Sequence, residues 1–247
     1  YEMSASLVGS EMCIRDSGGN DPLIIFDDVD LDTAVTEAIN GRIVHAGQAC
    51  CSSKRFIVQE NIYDEFAGRL AERLKGMKIG DPLDQGSRVG PLIDERAAQR
   101  VEEIVDRTVK AGAYCLCGGR RFDGNFFEPT VLTGVTPAMD IAQNLEVFGP
   151  VFPLIKFKTE EQAVAIADNC TYGLSSGVIS GEIQRAIRVA RQLDAGNCTI
   201  NGTGLYRTHD MPFGGHRKSG LGTEGLYATL DEFTKTKTYV WKGAAIR

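Results

Sequence analysis

The sequence predicts an α/β domain built on a mostly parallel sheet covered by helices on both faces. Three features predict it: strand-length apolar runs recur along the chain, segments of helical periodicity separate them, and capping residues and glycines mark the joins. From Asp30 to Gly47, the apolar residues Leu31, Ala34, Val35, Ala38 and Ile39 recur at helical spacing, after a capping Asp30 and before a terminating Gly47. Lys54 to Gln59 is a short buried strand through Phe56, Ile57 and Val58, and Ile62, Phe66, Leu70 and Leu74 stripe the next helix. Asp94 caps a third helix, with Val101, Ile104, Val105 and Val109 inward until Gly112, and Tyr114 to Cys117 makes a further strand. Val151 to Phe157 is a near-continuous apolar run, and Thr159 with Gln162 forms a capping box that opens a helix through Ala163, Ile166 and Ala167. Ser176 to Ser180 is a strand, and Glu182 to Leu193 a helix with Ile183, Ala186, Ile187 and Ala190 inward. Cys198 to Asn201 is a strand again. Thr234 to Trp241 alternates lysine and threonine with Tyr239 and Trp241, the pattern of an edge strand that its own charges protect or a partner chain covers.

Composition narrows the classes of function. With 247 residues, 43% of them hydrophobic and 24% charged, the chain can bury the core of one large domain or two small ones. The net charge of -6 is spread without basic runs, which argues against nucleic acid and against a lipid-binding patch. No apolar stretch approaches the roughly 20 residues of a membrane-spanning helix, and the N-terminus lacks the order of a signal peptide, so no membrane is expected and a cytoplasmic location is. The seven cysteines, at 13, 50, 51, 115, 117, 170 and 198, form no zinc-type paired spacing, so no metal is expected and free thiols in a reducing compartment are. Residues 1–17 show neither helical nor strand periodicity, and two origins stay open for them, a native terminus or a cloning or sequence-assembly scar.

Gly47-Gln48-Ala49-Cys50-Cys51 lies between a helix end and a strand start, a place where backbone geometry can present a nucleophile. A thiolate attacks carbonyl carbon readily, and a local field can lower a thiol from its free value of about 8.5. On residue type alone, the better reading of both cysteines is small buried apolar side chains. The stretch Gly220-Leu221-Gly222-Thr223-Glu224-Gly225 is a literal G-x-G-x-x-G, but no strand precedes it, so it is not expected to bind a dinucleotide phosphate.

GQACC followed by KRFIV resembles the active-site segment of the aldehyde dehydrogenase superfamily. The resemblance implies Cys50 as the nucleophile and Cys51 as its non-catalytic neighbour beside the substrate. Leu145-Glu146-Val147-Phe148-Gly149-Pro150 is similar to that family's E-x-F-G-P motif, which implies that Glu146 hydrogen-bonds the nicotinamide ribose and Phe148 packs near the nicotinamide. Met211-Pro212-Phe213-Gly214-Gly215, leading to Ser219-Gly220 and Glu224-Gly225, is similar to the C-terminal signature, with Arg217 where the signature has lysine. It implies that Phe213 lines the substrate funnel. Arg207 and His209 stand just before it, where positive groups would admit an anionic aldehyde. Asn201 is either a strand-end residue facing the substrate or a turn residue satisfying its own backbone.

The fold so implied is an aldehyde dehydrogenase-type catalytic domain over residues 18–230, followed at 231–247 by a strand and tail that join an oligomerisation sheet in a homo-oligomer. The reaction implied is oxidation of a small-molecule aldehyde to a carboxylic acid with NAD or NADP through a thioester. Gly18-Gly19 match the glycines of the family's general-base segment, which leaves Asp16, one methylene shorter than glutamate, as the stand-in base. The family's dinucleotide-binding half has no counterpart in the sequence, so the chain by itself is expected to be inactive. The alternatives are a non-catalytic fragment or gene remnant of the same fold, and a Cys-His hydrolase that pairs Cys50 with His45 or His209.

Overall fold

The structure, a computed structural model, describes residues 18–220 and 222–243. Residues 1–17, with the candidate base Asp16, lie outside the described residues, as do Leu221 and the last four positions. The described residues form six α-helices: α1 (Leu31–Ile43), α2 (Tyr63–Lys75), α3 (Glu95–Lys110), α4 (Glu160–Asp168), α5 (Ile183–Ala190) and α6 (Leu226–Phe233). The strands are β1 (Pro22–Ile25), β2 (Arg55–Gln59), β3 (Tyr114–Cys117), the short hairpin β4 (Arg121–Phe122) and β5 (Phe126–Phe127), β6 (Thr130–Val135) and β7 (Val151–Phe157). After them come β8 (Tyr172–Gly173), β9 (Ser175–Ile179), β10 (Asn197–Ile200), β11 (Phe213–Gly214), β12 (His216–Arg217) and β13 (Thr223–Glu224).

Seven strands form one sheet in the order β10-β9-β1-β2-β7-β6-β3. All neighbours are parallel except β3 and β6, which run antiparallel at one edge. Strand side chains alternate between the two faces, and the two cores follow that alternation. Ile24, Ile57, Ile155 and Val178 face the layer that holds Val101, Val105, Ala163, Ile166 and Val189. Leu23, Ile25, Phe56, Val58, Phe152 and Leu154 face the layer of α1 and α2, with Ala34, Val35, Phe66 and Leu70. Both faces are therefore dry, as a parallel sheet requires.

The predicted caps are present: Asp30 accepts from Thr33 N, Asp94 from Ala97 N, and Thr159 Oγ1 from Gln162 N. The capping box is offset by one residue, because Gln162 Oε1 accepts from Lys158 N at 2.8 Å. Two inward assignments differ: Ile183 is 50% exposed and Val109 38% exposed. Ile183 opens α5, and the buried stripe runs instead through Ala186 and Val189; Val109 belongs to the last turn of α3. The expected strand at Thr234 to Trp241 forms no ladder in this chain, and Tyr239 and Trp241 project into solvent. A strand exists only with a hydrogen-bonded partner, and this segment has none among the described residues. Helix α6 runs across position 230, where the catalytic domain was expected to end. Among the described residues no helix is long and apolar enough to cross a membrane, and no group of three or more His, Cys, Asp or Glu could hold a metal ion.

Candidate active site

Parallel pairing puts the starts of β1, β2 and β7 side by side. Asp21 immediately precedes β1, Lys54 precedes β2, and Glu146 to Phe148 lie just ahead of β7. The site residues therefore gather at the amino edge of the sheet, whereas open α/β sheets commonly bind ligands at the carboxyl edge.

Helix α1 delivers the nucleophile segment to this edge through a strained passage. His45 (φ 52°) and Ala46 (φ 54°) both take the left-handed conformation, followed by Gly47 at φ 77°, a combination that costs non-glycine residues about 1–3 kcal/mol each. A Cβ on Gly47 would overlap the backbone carbonyl of Gly149, so bare glycine lets the nucleophile loop rest against the Glu146–Phe148 loop. Gly47→Ala is expected to destabilise the protein by about 2–3 kcal/mol, combining the left-handed penalty with that overlap. Urea unfolding checks it, and a loss under about 1 kcal/mol would show that the two loops separate cheaply.

Ser52 N donates to Ala49 O at 3.2 Å, which closes a turn with Cys50 and Cys51 at its centre. Both side chains are half-buried. A hydrogen bond to Cys50, then burial, then the charge of Cys50 hold the Cys51 thiol far above its ordinary value. Cys51 thus stays a neutral S–H donor beside Cys50, an arrangement that favours a thiolate on Cys50.

Lys54, predicted only as a strand start, is fully buried beneath the turn. Its Nζ donates to Cys50 O at 2.6 Å and to Ala49 O at 3.0 Å, and it pairs with Glu146 Oε1 at 3.3 Å. Gly19 N donates to the same Glu146 oxygen at 3.0 Å. Glu146 and Phe148, the ring 42% exposed, line an open cleft of about 570 Å³ together with Arg96, Arg100, Leu145 and Tyr172. Cys50 is not among the residues lining that cleft; Lys54 and the Gly47–Gly149 contact join the two.

Two further buried cations fix the loops. Arg42 donates to Val151 O at 2.9 Å, Ser52 Oγ at 2.7 Å and Val147 O at 2.8 Å, so α1 holds the cysteine turn and the Glu146 loop at once. Burial pushes this guanidinium down to about 9, Glu146 and Asp21 pull it back up, and it stays charged at neutral pH. Arg55 holds the backbone of Asn20 and the end of α4. Ser219, in the C-terminal signature, is buried, accepts from Gly173 N at 3.0 Å and donates to Gly18 O at 2.7 Å. That contact ties the last motif of the chain to the first. Sequence reasoning missed Lys54, Arg42, Arg55 and Asp21. The only available signal was their position one or two residues from an apolar strand or within a buried helical face.

The remaining expected residues form a second group. The Arg207 guanidinium lies 4.1 Å from the centre of the Phe213 ring and 3.5 Å from Glu224, and Phe213 beneath it is only 1% exposed. His209 is exposed, and so is His45. A Cβ on Gly204 would touch Cys51 O, so the segment leading to Arg207 passes against the cysteine turn. Asn201 sits at φ 54°, and its Oδ1 accepts from Ser180 N at 3.0 Å, so its side chain secures the neighbouring strand end.

The fold and the site define a class: an open α/β domain whose thiol-bearing turn is joined by a buried ammonium to a carboxylate-and-aromatic cleft. Residues 6–239 match the aldehyde dehydrogenase family, and the chain belongs to that family. It is 42% identical over 237 residues to the succinate-semialdehyde dehydrogenase (NADP+) of Deinococcus radiodurans, covering 94% of this chain and 49% of that one. It is 37% identical over 236 residues to the sulfoacetaldehyde dehydrogenase of Neptuniibacter caesariensis, covering 96% and 51%. A crystal structure of betaine aldehyde dehydrogenase from Staphylococcus aureus in complex with NAD+ superposes with a TM-score of 0.84 at 39% identity, over 87% of this chain and 44% of that one. The chain spans about half the length of the curated relatives it matches.

Proposed function

We propose that this chain supplies the thiol-bearing half of an NAD(P)-dependent aldehyde dehydrogenase, with Cys50 as the nucleophile. The observation that carries the reading is the single Lys54 ammonium bonded to both the Cys50 carbonyl and the Glu146 carboxylate, which keeps the thiol turn and the cleft wall in register. The Cys50 thiolate adds to the aldehyde carbon, and the carbonyl electron pair moves onto oxygen to give a thiohemiacetal alkoxide. The Cys50 backbone N–H is the donor this chain offers to that oxygen.

The cleft fits a nicotinamide riboside. A carboxylate held on one oxygen by Gly19 and Lys54 can accept from a ribose hydroxyl, and the exposed Phe148 ring gives a flat face for a heteroaromatic ring. A nicotinamide held there by Glu146 and Phe148 would supply the hydride acceptor for the alkoxide. Cys50 is left carrying an acyl thioester, and water activated by a carboxylate at the position of Asp16 releases the acid.

The substrate proposed is a small aldehyde, and an anionic one is favoured by Arg207 over Phe213 and by relatives named for succinate semialdehyde and sulfoacetaldehyde. We place the enzyme in the cytoplasm as a homo-oligomer joined through residues 231–247, whose exposed Tyr239 and Trp241 await a covering surface.

The test is peptide-mapped alkylation with limiting iodoacetamide at pH 7. Cys50 is expected to react at least about tenfold faster than Cys115 and Cys198, since burial first of all raises both of those thiols. Succinate semialdehyde is expected to slow the labelling of Cys50 alone. Equal labelling of the three thiols, or no protection, would remove the nucleophile from the reading.

A further inference from the structure

We propose that Lys54 is a positioning residue of this site: its buried ammonium locks the cysteine turn to the Glu146–Phe148 loop, and its charge favours the thiolate of Cys50. The inference rests on Cys50 being the nucleophile and adds a group that sets its reactivity.

The geometry is specific. An ammonium has three protons, and the Lys54 Nζ finds Cys50 O at 2.6 Å, Ala49 O at 3.0 Å and Glu146 Oε1 at 3.3 Å, with Ser52 O at 3.4 Å as a fourth neighbour. The Phe148 ring centre lies 5.5 Å away, within range of a cation over an aromatic face. One atom therefore bonds the turn that carries the thiol and the carboxylate on the cleft wall, and lies over the ring beside it. The lysine side chain is 0% exposed, so water does not screen its field as it would on a surface.

The charged and titratable groups facing Lys54 are Asp21 from the segment before β1, Arg42 from α1, Glu146 from the loop before β7, and Cys50 and Cys51 above it. Burial lowers the lysine from its ordinary value, Asp21 and Glu146 oppose that, and Arg42 adds to it. Asp21 and Glu146 face the same ammonium, and Asp21 also interacts with Cys50, so without a cation among them these carboxylates would disfavour a further negative charge on the thiol. Lys54 is the cation that touches the thiol turn and opposes them.

The test uses the whole 247-residue chain. The rate of Cys50 carbamidomethylation is followed by peptide mapping from pH 5 to pH 10, with Cys115 as the reference thiol and thermal melting as the check on folding. Lys54→Met is expected to move the midpoint of the Cys50 profile up by about one pH unit and to slow labelling at pH 7 about tenfold, the low end of what one nearby charge does. Glu146→Gln, which leaves the ammonium less neutralised, is expected to move the midpoint down. Opposite shifts are the signature of a charge effect, since general loosening of the turn drives both variants toward the free thiol. An unmoved Cys50 midpoint in folded Lys54→Met, or shifts of the same sign in both variants, overturns the proposal. Should Lys54→Met not fold, Lys54→Gln, which keeps an N–H donor without the charge, takes its place: a higher midpoint supports the role, and an unchanged or lower one ends it. If wild-type Cys50 reacts no faster than Cys115, the assignment of Cys50 fails instead.

Discussion

Arg55→Leu is expected to destabilise the protein by about 4 kcal/mol, measured by urea unfolding at pH 7, with the slope of the transition unchanged. The guanidinium is 1% exposed and donates to Asn20 O at 2.6 Å, Ile166 O at 2.9 Å, Ala167 O at 2.7 Å and Ala142 O at 3.3 Å. Ile166 and Ala167 stand in the last turn of α4, whose carbonyls have no partner within the helix, so Arg55 acts as a cap delivered from a neighbouring strand. Two effects compete. Burying a guanidinium is costly, as its downward shift by desolvation reflects, and exchanging a whole buried ion pair for apolar groups is often neutral. Here the four acceptors are backbone carbonyls, which a substitution at Arg55 cannot remove; Ile166 O keeps Asn169 N at 3.3 Å, and each buried acceptor left unpaired costs about 1–3 kcal/mol. The orphaned carbonyls therefore outweigh the relief of desolvation. A loss below about 1 kcal/mol would show that water or a shifted backbone serves them as well as arginine does. The effect reaches the site, because the Asn20 carbonyl held by Arg55 adjoins Gly19, whose N–H fixes Glu146.

Arg55 also illustrates what a sequence withholds. The helices of α1 to α4 and the strands at Val151 and Lys54 were legible because their apolar spacing is periodic and their caps are of the usual chemical types. Pro22–Ile25 was not, since four consecutive buried residues show neither period, although this strand pairs with both β2 and β9 near the middle of the sheet. Helix α6 was missed although Leu226, Leu230 and Phe233 recur at helical spacing, because Gly225 stands at its N-cap and no capping side chain marks its start. In the site, the motifs gave Cys50, Glu146 and Phe148 their positions in the chain, but not the buried cations that join them. Lys54 and Arg55 head a strand, and a Lys-Arg pair there ordinarily signals solvent. Only the fold shows that the pair points under the cysteine turn and into the end of α4.

Asp21→Asn is expected to make the protein more stable at pH 8, by roughly 2–4 kcal/mol, while leaving it nearly unchanged at pH 4. Asp21 is 2% exposed; its Oδ1 accepts from Ser175 N at 3.2 Å, and its Oδ2 has no hydrogen-bond partner among the described residues. Burial is the largest influence and raises its pKa from 3.8 to about 7; Lys54 and the Ser175 N–H oppose the rise, and the charges of Cys50 and Glu146 add to it. Because the folded-state value lies above the unfolded one, the native protein binds the extra proton between those two pH values. The unfolded chain releases it first, so stability falls as pH rises through that window, by up to about 1.4 kcal/mol per pH unit, and falls no further above it. Asparagine carries no such proton and keeps an oxygen for Ser175, which removes the slope. Lys54 loses a counter-charge in the exchange, which offsets part of the gain and sets the lower figure. Melting curves from pH 4 to pH 8 decide the matter: the wild-type profile should decline relative to the variant, with the gap opening between pH 4 and pH 7. Parallel profiles would mean that Asp21 is ionised throughout and that its unpaired oxygen is solvated by ordered water. In that case the charge facing Lys54 would be constant across the working pH range, and the tuning of Cys50 would rest on the lysine and Glu146 alone.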